Sequence, residues 1–104
     1  MVVTREFRET IYARAQRDPA FVKALLSEAV NAYLGGDEAT GKLMLRDLIN
    51  ATVGFEELAA AVRRPSKSLH RMLGSRGNPN AANFFAVLRV LQHRVGVKLK
   101  VRAA

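Results

Sequence analysis

Apolar residues recur at helical spacing along most of this 104-residue chain. Phe7, Ile11 and Tyr12 share one face of a helix expected over residues 4–16. Asp18 followed by Pro19 reads as an N-cap and a proline at the first helical position. Phe21, Leu25, Leu26, Ala29, Val30 and Tyr33 continue that helix until Gly35–Gly36 stops it. Asp37 is placed to cap a third helix, with Leu43, Leu45, Leu48 and Ile49 as its apolar positions and Gly54 as its end. Residues 55–62 predict a short helix with Phe55, Leu58, Ala59 and Val62 inward, broken by Arg63–Arg64–Pro65. Residues 66–73 predict a second short helix, ended by Gly74. Ser75–Asn80 is a polar loop punctuated by Gly77 and Pro79. A longer helix follows over residues 80–94, with Phe84, Phe85, Val87, Leu88 and Leu91 apolar and Gly96 at its end. Residues 97–102 alternate apolar and basic, the period of a half-buried strand. A lone strand is unstable in water, so a second copy of the chain is the simplest partner.

The second short helix changes the picture. On a wheel of about 100° per residue, Leu69, Met72 and Leu73 cluster on one side with Ser66 beside them. Lys67 and Arg71 point the opposite way, flanked by Ser68 and His70. A face of two cations and small polar groups suits a major groove, where Arg or Lys bonds guanine edges and Ser bonds base or phosphate. The helix is about two turns long and needs its neighbours to hold it. In a helix-turn-helix the first helix braces the second.

Charge points the same way. The last acidic residue is Glu57, and ten of the seventeen Lys/Arg lie after it. A globular half without carboxylates repels itself, so its negative charge is expected from outside, and phosphates fit because neutralising them releases counterions. The length suits one domain spanning 1–104, with N-terminal helices over 4–50, a helix-turn-helix core over 55–94 and the strand over 97–102. The expected class is all-α with a short C-terminal β-strand.

Composition excludes several alternatives. The absence of cysteine rules out disulfides and thiolate metal sites and fits a cytoplasmic protein. Charges in Met1–Glu9 argue against a signal peptide, and the apolar runs are too short for a membrane span. Gly36 to Lys42 matches the G-x-x-x-x-G-K of a phosphate loop, but the next residue is Leu43 rather than Ser or Thr. No apolar strand precedes it, and Asp37 and Glu38 would repel a phosphate, so ATP is not expected. His93 suits a helix C-terminus, and no catalytic, cofactor or metal set stands out.

The segment FEELAAAVRRPSKSLHRMLGSRGNPNAANFFAVLRVL and its VKLKV tail resemble the HigA-like antitoxins of bacterial addiction modules. These carry a lambda-repressor-like (Xre/Cro) helix-turn-helix. Leu58–Ala59, the SLHRML stretch and the GNP loop carry the likeness, with RDPAFVKALLSEAV and GDEATGKLMLRDLINA upstream, so it extends from about Phe7 to Val101. It implies a homodimer that binds operator DNA, represses its own operon and neutralises a RelE/HigB-type RNase toxin. Arg63 stands where that family usually has glycine, Arg64 where it has an apolar residue and Pro65 where it has a serine cap. Arg64 is expected to reach outward, toward a phosphate. The residues expected at DNA are Arg64, Ser66, Lys67, Ser68, His70, Arg71, Arg76 and Asn78. Arg76 to Asn78 precede a helix N-terminus, whose free N–H groups favour phosphate. The plainer readings are a solvated face for Lys67 and Arg71 and an ordinary turn for the loop. Two other functions stay open: a transcription regulator without a toxin partner, and a protein-interaction module whose DNA binding has decayed.

Overall fold

Local signals set most of the helix boundaries in the computed structural model, which describes residues 5–104. The chain is all-α. Helix α1 spans Arg5–Arg17, so residue 4 of the expected helix lies outside the described residues. Helix α2 is Pro19–Leu34, and the Asp18 carboxylate accepts the Phe21 N–H at its start. Helix α3 is Glu38–Ala51, capped by Asp37 accepting from the Thr40 N–H. Helices α4 (Phe55–Val62) and α5 (Ser66–Met72) are short and separated by a tight turn. Helix α6, Ala81–Val95, begins where the Asn80 side chain accepts the Asn83 N–H at 2.8 Å. Each of these caps satisfies one N–H left free by the first turn.

One apolar core joins α2 to α6. Leu26, Leu45, Leu48, Ile49, Leu58, Leu69, Leu73 and Leu91 are fully buried. Helix α3 is central: it packs against α1, α2 and α4. The Gln16 side-chain amide donates to the Ala51 carbonyl at 2.7 Å and ties α1 to the end of α3. Met44 and Met72 are half-buried fillers against this core.

The structure departs from expectation in three places. Of the first apolar face only Ile11 is buried; Phe7 and Tyr12 are exposed, because α1 lies at the edge of the core and contributes one row of contacts. Phe85 is 61% exposed, whereas its neighbour Phe84 turns inward and meets Tyr33 at a ring separation of 4.7 Å. Residues 97–102 form no strand in the single chain. A strand needs a partner ladder, and none of the described residues supplies one. The alternation survives as burial only as far as Lys100: Val97 and Leu99 pack against the core and Lys98 and Lys100 face solvent, but Val101 is 99% exposed. The Leu99 N–H donates to the Gln92 side-chain oxygen at 2.6 Å.

Candidate nucleic-acid interface

The turn between α4 and α5 begins with an uncommon backbone. Arg63 has φ 56° and ψ 47°, a left-handed conformation, and the other described residues with positive φ are all glycines: Gly36, Gly54 and Gly96. The Arg64 N–H donates to the Ala59 carbonyl and the Arg63 N–H to the Ala60 carbonyl, which closes the end of α4. A side chain in this region costs about 1 kcal/mol more than glycine. The Arg63 side chain therefore carries that strain. Pro65 follows in extended geometry, φ −61° and ψ 141°, and opens α5.

Helix α5 is anchored from below. Leu69 and Leu73 are fully buried, and Met72 is half-buried beside them. The expected opposite face is solvent-exposed at Lys67 and Arg71. Ser66 and Ser68 are half-buried at its margins. His70 is exposed, and its ring stacks on Phe55 with centroids 3.9 Å apart and planes 20° from parallel. That stacking couples α5 to the first turn of α4 and occupies one face of the imidazole. Arg64 reaches outward as expected, and its Nε donates to the Asn83 side-chain oxygen at 3.3 Å. This contact bridges the turn to the first turn of α6. Arg76 and Asn78 are exposed on the loop after α5.

The electrostatics of this face are one-sided. Among the described residues, Arg63, Arg64, Lys67, Arg71 and Arg76 form no ion pair. Of the ten cations after Glu57, Arg94 alone has a carboxylate partner there, Glu57 itself at 3.2 Å. Five of the nine cations left there without a carboxylate partner lie on the α4–α5 turn, the outer face of α5 and the following loop; Arg89, Lys98, Lys100 and Arg102 lie on α6 and the tail. The acidic caps Asp18 and Asp37 lie on other elements; hydrogen bonds to their carboxylates, from the Phe21 N–H and from Thr40, hold each below the usual carboxylate range.

Lys42 is a site residue that sequence reasoning passed over. It lies within α3, where the glycine–lysine pair belongs to a helix rather than to a phosphate loop. Its side chain is buried, and its Nζ donates to the carbonyls of Gly77 at 2.8 Å and Ser75 at 3.5 Å. The signal was available: Lys42 precedes Leu45 by three residues and Ile49 by seven, a core-face position. Among the described residues no group of three or more His, Asp and Glu is placed to hold a metal, and no helix is long and apolar enough to cross a membrane.

No protein-family model matches the chain, and neither does any curated protein or solved structure. The functional reading therefore stands on the residues and geometry above.

Proposed function

We propose that this protein is a helix-turn-helix DNA-binding regulator, with α4 as the bracing helix and α5 as the helix that enters the major groove. The observation that carries the reading is the outer face of α5: Lys67 and Arg71 are exposed, four apart and unpaired among the described residues, above a buried Leu69–Leu73 anchor. Arg64, Arg76 and Asn78 flank that face and supply phosphate contacts; Ser66 and Ser68 bond phosphate or base at its margins. His70 orients α5 through Phe55 and leaves its ring edge and second face for the groove.

The protein acts as a cytoplasmic homodimer on a two-fold operator. Its recognition helices then lie about 34–36 Å apart, one turn of duplex. The resemblance to HigA-like antitoxins supports a second role, autorepression coupled to silencing of a RelE/HigB-type toxin. The exposed Phe7 and Tyr12 on α1 give a surface for that partner away from α5.

The test has two arms. Gel shifts with the DNA upstream of its own reading frame show a specific complex that random duplex does not displace. Co-expression with an adjacent small basic reading frame restores growth and yields a co-purifying pair. DNA binding without the second result reduces the reading to a plain regulator.

A further inference from the structure

Lys42 has a geometry that the α5 face alone does not explain. It is a charged side chain only 7% exposed, and it has no ion-pair partner among the described residues. Burying an ammonium is costly unless its donors are satisfied. Here two are satisfied by backbone carbonyls, and those carbonyls belong to Ser75 and Gly77. They bracket Arg76. The Ser75 carbonyl belongs to the peptide group that enters Arg76 and the Gly77 carbonyl to the one that leaves Gly77, so one lysine from α3 grips the loop on both sides of Arg76.

The same loop is fixed from the other side. Gly77 lies so close to the Arg71 and Met72 carbonyls that no Cβ could be added. Its N–H donates to the Gly74 carbonyl at 3.0 Å. The loop is thus pressed onto the C-terminal end of α5, with Lys42 across it. Two parallel hydrogen bonds from α3 thus reach the residues on either side of Arg76. Arg76 is itself exposed and unpaired among the described residues.

We propose that Lys42 is a positioning residue for DNA binding: it holds the loop so that Arg76 meets a backbone phosphate next to the groove read by α5. The proposal rests on the DNA-binding reading above. A preset arginine loses less conformational freedom on binding than one on a loose loop. Lys42 itself touches no DNA and is not counted among the phosphate contacts.

The test compares Lys42→Met, which keeps the aliphatic stem and removes the donors, with Arg76→Ala and the double variant. Amide hydrogen exchange on the DNA-free protein comes first. Lys42→Met speeds exchange at Gly77, whose N–H is held by the Gly74 carbonyl, while the α2 and α3 core amides stay protected; unchanged Gly77 exchange overturns the positioning role whatever the DNA does. Operator affinity across a salt series comes second. Arg76→Ala lowers the slope of log K against log[salt] by about two, one phosphate contact on each half-site of the proposed dimer, and weakens binding about tenfold or more. Lys42→Met matches that loss, and the double variant loses no more than either single one. Additive losses, or a Lys42→Met slope equal to that of the unmodified protein, overturn the proposal. If Lys42→Met does not fold, Lys42→Gln carries the same comparison with an intermediate loss. Failure of the unmodified protein to bind duplex DNA overturns the functional reading, and the exchange result still reports on the Lys42 grip.

Discussion

Arg63 is the residue at which this chain accepts strain for its turn. Its left-handed backbone closes α4, and the side chain adds a cation beside Arg64. Replacing it with glycine, Arg63→Gly, relieves about 1 kcal/mol and raises Tm by about 4 °C or more. A lower Tm in that variant would show that the arginine side chain makes a stabilising contact. The same exchange weakens DNA binding slightly if Arg63 adds to the phosphate field. Asp47 carries a different penalty. Burial pushes its carboxyl up from the usual range, against the opposing pull of Arg8 and Arg46, and Arg8 is 3.9 Å away. The folded chain therefore holds this proton more tightly than the unfolded chain. The favourable contribution is complete below the unfolded value of about 3.9 and is lost as pH rises through the folded value. Asp47→Asn accordingly raises Tm at neutral pH, and the gain disappears below about pH 4. Melting curves at both pH values check this; an equal Tm difference at both would contradict it.

Helix α5 depends on its underside. A seven-residue helix has little stability of its own, so Leu69 and Leu73 hold it in place. Leu69→Ala leaves a cavity under it and costs about 2–5 kcal/mol, read from chemical denaturation. A cost under about 1 kcal/mol would mean that α5 is held by its neighbours' backbone instead. Helices α2, α3 and α6 were legible in the sequence because local punctuation bounds them: Asp18–Pro19, Asp37 and Gly96; the Asn80 cap was read only as part of a polar loop. What was not legible depends on distant parts of the chain. Whether Tyr12 is covered depends on how far α1 extends past α3, and no spacing within α1 records that. The stacking of His70 on Phe55 depends on the angle between α4 and α5. The tail shows the reverse case. Its period-2 pattern was readable and its burial alternates from Val97 to Lys100, though not at the exposed Val101, and a ladder requires a second chain. Because the Leu99 N–H is taken by Gln92, pairing in a homodimer uses the opposite edge, at Lys98 and Lys100. Lys100→Pro removes a donor on that edge and converts the proposed dimer to monomer in sedimentation. Persistence of the dimer would place the interface elsewhere.

Across the molecule, the +8 net charge is distributed rather than uniform. The α4–α5 turn, α5 and the loop to α6 hold cations without partners among the described residues, whereas Arg94 is drawn back to Glu57. The tail cations Lys98 and Lys100 alternate with half-buried apolar residues and lie on a separate element. The contact surface for DNA is therefore narrower than the acid-free half of the sequence, and doubled in the proposed dimer. A dimer that uses Arg64, Lys67, Arg71 and Arg76 on each half-site makes about eight phosphate or base contacts, which implies a steep salt dependence. The most direct measurement is fluorescence anisotropy of the upstream duplex against salt, for the unmodified protein and for Lys67→Ala/Arg71→Ala. The account predicts a linear fall of log K with log[salt] for both. It also predicts that the double variant binds its own operator at least tenfold more weakly and no longer prefers it to random duplex. Equal operator affinity and preference in the two proteins would contradict the assignment of α5 as the reading helix.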